Sequence, residues 1–275
     1  MVEKALFENT PKPPVKDIDR LYFGNEFCEG LIPGLSVVKA RQAFAQRSGK
    51  PLTFVTPYVT DKGLTRLYGI FKYLNKLDKV EVVFNDWGVF SMLREEFSNL
   101  VPVMGRLLTR QRRDPRILRI LAGKQKRILV EDKGKRVLLA PKPAPETLLS
   151  YHRSCGINAP WFQDFLLSRG IRRVEVDNLL WGMDLKLKPG MSLSVYYPFG
   201  YISTGRQCPK FSLRFGPCAR QCQRYCFRFR DASLPVPFYG IGGTLFYQYD
   251  QLPLDRLKAL NNPGLRLVRQ SRLPF

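Results

Sequence analysis

Histidine is almost absent from this sequence: 275 residues carry one, His152. No G-x-S-x-G stretch and no nucleophile paired with a histidine occurs either, so a serine or cysteine hydrolase triad cannot be assembled. Uninterrupted apolar runs fall well short of the roughly 20 residues a membrane helix needs. The opening MVEKALFENTPKPPVKD alternates charge with apolar residues and lacks the apolar core of a secretory signal. These absences predict a chain without a transmembrane segment, in a reducing cytoplasmic setting. Cysteine is sparse, six in all, and in that setting scattered thiols mark metal binding or chemistry rather than a disulfide framework. Acidic residues are outnumbered, 23 against 45 Lys and Arg, giving a net charge of +22. Such an excess attracts polyanions: RNA, DNA, an anionic membrane surface or phosphorylated substrates.

What is present reads as one globular unit, with 44% hydrophobic and 12% aromatic residues. Residues 1–19 read as an irregular leader, because PKPP at 11–14 discourages helix and strand alike. A strand-then-helix rhythm follows. RLYFGNE at 20–26 predicts a buried strand, LSVVKARQAFAQR at 35–47 an amphipathic helix, and PLTFVTPYV at 51–59 a second strand. DKGLTRLYGIFKYLNKL at 61–77 places Leu64, Leu67, Tyr68, Phe71, Leu74 and Leu77 on one helical face. KVEVVFND at 79–86, WGVFSMLREEF and VPVMGR at 101–106 continue the alternation, and IRRVEVDN at 171–178 with MSLSVYYPFG at 191–200 resumes it. Strands separated by single helices favour parallel pairing with right-handed crossovers, in a barrel or a doubly wound sheet. Residues 107–160 interrupt the rhythm with a basic excursion: Arg106 to Arg136 holds twelve Lys and Arg against three acids, with a hairpin predicted at RILVEDKGKRVLLA. Past Cys226, LPVPFYGIGGTLFYQYD reads as extended or turn structure, and 251–275 as a tail.

In parallel α/β architectures ligands gather beyond the carboxyl ends of the strands. There the sequence places Cys28, Tyr58, Asn85, Asp86, Arg106, Asp177, Asn178 and Cys208. Asn85 and Asp86 are of the type that also ends a strand and caps the next helix, and Arg106 and Arg110 are of the type that grips a carboxylate or phosphate bidentately. Four cysteines lie within CPKFSLRFGPCARQCQRYC at 208–226. On a continuous helix Cys218, Cys222 and Cys226 would share one side. Zinc accepts four thiolates drawn from close pairs, and iron–sulfur clusters accept four thiolates scattered along the chain, so spacing alone leaves both open. The CARQCQRYC spacing is longer than that of radical S-adenosylmethionine enzymes.

YFGNEFC at 22–28, VEVVFNDWGV at 80–89, VPVMGRLLTRQ at 101–111, YYPFGYISTGRQC at 196–208 and GPCARQC at 216–222 resemble the peptidase U32 family, in that family's order. The similarity spans roughly residues 20–250 and is greatest to the branch involved in oxygen-independent ubiquinone hydroxylation. It implies a TIM-barrel-like α/β barrel over 20–250, incomplete or distorted, with 107–160 as a basic insertion and 205–230 as the cysteine segment. It further implies a [4Fe–4S] cluster on Cys28, Cys208, Cys218 and Cys222, with Cys226 as an alternative ligand, Cys155 a buried thiol and zinc the alternative metal. Tyr58, Asn85, Asp86, Arg106 and Asp177 become substrate-binding candidates. A hydroxylase-like activity, a paired relative, an electron donor and RNA or another polyanion are the implied function and partners; a metal-stabilised scaffold and a peptidase are alternatives. One departure stands out: Tyr197, Pro198 and Phe199 occupy a stretch where related sequences carry a histidine.

Overall fold

The structure is a computed structural model that describes residues 2–121, 128–139, 145–206, 208, 218, 222, 226–232, 234–253, 257, 262 and 264–274. Eight parallel strands close into a barrel: β1 (Glu3–Phe7), β2 (Arg20–Gly24), β3 (Leu52–Val55), β4 (Glu81–Phe84), β5 (Val101–Met104), β8 (Arg173–Asp177), β9 (Ser192–Tyr197) and β14 (Arg266–Gln270). Residues 107–160 contribute the hairpin β6 (Ile128–Asp132) and β7 (Lys135–Leu139) between β5 and β8. A four-stranded antiparallel sheet of β10 (Phe199–Thr204), β11 (Phe227–Phe229), β12 (Phe238–Ile241) and β13 (Thr244–Gln248) intervenes before β14. The expected TIM-like α/β barrel with a basic insertion is therefore present.

Helices α1 (Leu35–Arg47), α2 (Asp61–Leu74), α3 (Trp87–Glu96) and α6 (Pro160–Ser168) follow barrel strands, α6 after the insertion with its short helices α4 (Ile117–Leu121) and α5 (Glu146–Arg153). Outward-facing strand residues such as Leu21, Phe54, Val82, Val174 and Val195 pack against buried helix residues Val38, Leu67, Phe71, Leu93 and Leu166 in the main apolar core. The alternation of the pleat sends the neighbouring residues into the barrel. Its lumen is filled by Ala5, Phe7, Tyr22, Val55, Val83, Val103, Tyr196 and Val268, with Tyr22 and Tyr196 meeting edge to face at 6.1 Å.

Both chain ends correct the sequence expectation. The leader 1–19 supplies β1 and the tail 251–275 supplies β14, and these two strands pair with each other to close the barrel, Glu3 opposite Arg266. The reason lies inside the barrel, where Arg266 donates to both carboxylate oxygens of Glu81 at 2.6 and 3.0 Å and to Glu3 at 2.7 Å. These charges are matched only once the two chain ends meet, so neither segment alone announces its place.

Candidate metal centre at the barrel mouth

Cys28 follows β2 in a loop that Asn25 shapes: its side-chain oxygen accepts from Phe27 N at 3.0 Å and Cys28 N at 2.8 Å. Cys208 follows β10, which continues directly from β9 through the cis Tyr197–Pro198 peptide. Cys222 is buried in an apolar cluster with Phe27, Leu107, Phe199, Tyr201, Ile241 and Phe246, and half-buried Cys28 packs against the same cluster. Burial raises the Cys222 thiol, and the charges of Cys28, Cys218 and Cys208 raise it further. Burial likewise raises Cys28, with Cys218 and Cys208 adding to the rise while the backbone N–H groups of Gly30 and Leu31 oppose it. Cys208 and Cys218 thus lie within electrostatic reach of both Cys28 and Cys222. Cys226 is exposed beside β11, and partial burial alone raises its thiol; Cys155 sits in the main core, where burial raises it and Arg113 and Arg112, not the other cysteines, act against the rise. Among the described residues, no three His, Cys, Asp or Glu side chains are gathered tightly enough to hold one metal ion. Residues 219–221 and 223–225 of the helix expected over 218–226 lie outside the described residues.

A cleft of about 340 Å³ opens beside Cys28, lined by Phe27, Glu29, Tyr58, Val59, Thr60 and Arg206. Arg206 reaches Asp86 at 3.3 Å and stands 6.0 Å from the Tyr58 ring centre. Tyr58 therefore lies at the cleft, and burial raises its phenol. Asp86 caps α3, accepting from Gly88 N at 2.8 Å. Asn85 is fully buried and pins three strand ends, donating to the Thr56 carbonyl at 2.8 Å and accepting from Leu107 N at 3.1 Å. Gly105 leaves Asn85 its place, since a Cβ there would fall 2.1 Å from the amide oxygen.

Arg106 departs most from its expected role. The sequence puts it at the pocket mouth, whereas its guanidinium is wholly buried and engages other residues of the chain. Nε and Nη2 grip Glu26 bidentately at 3.0 and 2.7 Å, and Nη1 donates to Asp177 at 2.5 Å and to the Phe199 carbonyl at 2.9 Å. With the Gln270 amide nitrogen turned to Phe199 O, its oxygen accepts the fifth N–H at 2.9 Å. All five donors of an arginine are then matched. Burial opposes the Arg106 charge, and Glu26 and Asp177 outweigh it, holding the guanidinium protonated. Asp177 is itself shared with buried Arg113 at 2.6 Å, and Arg113 stacks 4.1 Å from the Tyr201 ring centre. The network ties the Cys28 loop, through Glu26, to the start of β10, through Phe199 O.

Glu26, Arg113 and Arg206 are the site residues that reasoning from sequence missed. Glu26 stands in YFGNEFC, two positions before the cysteine, and Arg113 stands within the basic excursion, where nothing sets it apart from its basic neighbours. No protein-family model matches the sequence, and no curated protein matches it. Among solved structures, the chain is similar to one described as a U32 peptidase, at 10% identity and a TM-score of 0.45, with 100% of this chain and 95% of that chain covered. Among the described residues no helix is long and apolar enough to cross a membrane.

Proposed function

We propose that this chain is an iron–sulfur protein of U32 type, holding a [4Fe–4S] cluster through Cys28, Cys208, Cys218 and Cys222 and taking part in an oxygen-independent hydroxylation or related modification of a quinone precursor or similar substrate. The observation that carries the reading is the packing of Cys28 against the apolar cluster that holds buried Cys222, with Cys208 and Cys218 near enough to raise both thiols, beside a cleft that a small molecule could enter. Thiolates at Cys28 and Cys222, raised by burial and then by their neighbours, would be relieved by a cationic core. Bound there, the cluster would supply electron transfer or activation of a ligand. The N–H groups of Gly30 and Leu31 would tune the Cys28 thiolate, the Arg106 network would fix its loop, and Tyr58 and Arg206 would orient the substrate. A paired relative and an electron donor would complete the system in the cytoplasm. Protein purified without oxygen should contain about four irons and matching acid-labile sulfide per chain. Serine at Cys28, Cys208, Cys218 or Cys222 should lower that content, and serine at Cys155 or Cys226 should not. One zinc per chain, or no metal, overturns the reading.

An RNA-binding or RNA-modifying role is the second reading, favoured by strand β11. This strand lies at the edge of its sheet, with Phe227 63% and Phe229 46% exposed and Arg228 and Arg230 exposed beside them. Phe229 stacks on Phe238 at 5.5 Å, and aromatic faces among cations are platforms for unpaired bases. Affinity for single-stranded RNA should then fall linearly with log salt, by about 0.7 per phosphate contacted. A flat response counts against it.

A further inference from the structure

Four arginines are buried among the described residues: Arg41, Arg106, Arg113 and Arg266. The last three each have a carboxylate within 4.0 Å, and among the described residues Arg41 has none. An interior charge without a counterion is costly, and proteins meet that cost with a partner or a ligand. Arg41 is 3% exposed; Nη2 donates to the Thr10 carbonyl, the guanidinium lies 5.0 Å from the Phe23 ring centre, and buried Nη1 has no partner. Burial pulls its pKa down, and Glu8 is the carboxylate that pulls the other way. Glu8 is already engaged, accepting from Asn9 N at 2.8 Å, from Thr10 N at 3.0 Å and from Ser271, and pairing with Arg272 at 3.2 Å.

Arg41 lines a cleft of about 300 Å³ with Asn9, Pro11, Ser36, Val37 and Ala40. Ser36 and Val37 belong to the first turn of α1, toward which helical side chains one turn later lean. This helix start is uncompensated. Its N-cap is Gly34, which offers no side-chain acceptor, and its first turn holds no acid, whereas α2 starts with Asp61 and Asp86 caps α3. The first helical bonds run from Val37 N and Val38 N to Gly34 O at 3.0 and 3.1 Å, which leaves the N–H groups of Leu35 and Ser36 without a backbone acceptor.

We propose that the cleft between the start of α1 and the 9–11 loop is a binding site for a tetrahedral oxyanion, the phosphate group of a small molecule, held by Arg41 and the N-terminal turn of α1. Two independent features converge there: a buried guanidinium lacking a counter-charge, and backbone donors at the positive end of a thirteen-residue helix. Several acceptor oxygens on one centre can serve both. The loop after β1 and the turn after β2 both leave the carboxyl ends of barrel strands, where this fold places ligands.

The test is thermal unfolding in inorganic phosphate, titrated against chloride at constant ionic strength. The wild type should show a saturable rise in Tm, and Arg41→Met should weaken the apparent affinity at least about tenfold, while Arg94→Met, which removes an equal charge from exposed α3, should leave it unchanged. Val37→Asp guards against a misfolded Arg41 variant: Val37 is 51% exposed, one turn before Arg41, and a carboxylate there supplies the missing counter-charge from within. That variant should melt higher without phosphate and lose the response to it. No saturable response in the wild type, the same response in all four proteins, or an acetate response equal to that of phosphate would overturn the assignment.

Discussion

The two ends of the barrel lumen are both lined with charge but are built on different principles. At the amino end of the strands, three arginines, Arg20, Arg173 and Arg266, face two acids, Glu3 and Glu81. Cations are in surplus there: Glu3 is shared by Arg20 and Arg266, each at 2.7 Å, and Glu81 by Arg266 at 2.6 Å and Arg20 at 3.5 Å. Burial, followed by the nearby Arg266, presses Arg173 below its ordinary value. At the carboxyl end the match is one to one, with Arg106 on Glu26 and Asp177, and Arg113 on Asp177. Glu26 has Arg106 alone as its ion-pair partner among the described residues. A redundant cluster can lose a member and rearrange; the cluster under the thiols cannot.

The largest expected effect follows from that difference. Arg106→Met strands Glu26 and half of Asp177 in a dry interior and should cost about 3–5 kcal/mol in chemical denaturation. Arg266→Met leaves Arg20 on Glu3 and Glu81 and relieves Arg173, so its cost should be nearer about 2 kcal/mol, the loss of charged hydrogen bonds. Position sharpens the contrast. Arg106 holds the Cys28 loop through Glu26, so Arg106→Met should also speed modification of Cys28 by a thiol reagent under native conditions, and Arg266→Met should not. Equal losses of stability would mean that the two clusters are equally redundant.

Regular periodicity was the legible part of this sequence. The helix expected over 35–47 has those bounds, the helices expected from 61 and 87 start there, and β2, β4, β5, β8 and β9 fall within their expected segments, because each helix buries one apolar face and each strand sends apolar residues into the core. β1 escaped because PKPP at 11–14 set the reading of the whole leader, and β14 because it stands at the far end of the chain, apart from the strand-then-helix rhythm. The same limit governs the site. Cys28 could be placed by its position after a strand, and Asp86 carried the signature of a cap. Glu26 reads as a surface residue until Arg106, 80 positions away in sequence, is folded against it. Long-range charge matching is written in two places at once, and neither alone announces it.

Between the two charged ends lies Glu175, wholly buried, with one carboxyl oxygen accepting from Tyr196 at 2.7 Å and the other without a partner. Burial pushes its carboxyl up to about 8, with the Glu26 charge adding to the rise. The folded state therefore keeps a proton that the unfolded chain gives up near the ordinary glutamate value. Its contribution to stability is full below about pH 4.5, shrinks as pH rises toward 8 and levels off above that, once both states have lost the proton. Glu175→Gln cannot ionise, so it should remove that slope, and at pH 8.5 it should be the more stable protein by about 4–5 kcal/mol. The advantage should vanish near pH 4.5, where the native side chain is already neutral. Neither Arg266 nor Arg106 is strengthened by this change, so the gain separates the middle of the lumen from both ends. If unfolding free energies of the two proteins run parallel from pH 5 to 8.5, Glu175 is charged in the fold and the arginines at the two ends reach further into the barrel than their ion pairs imply.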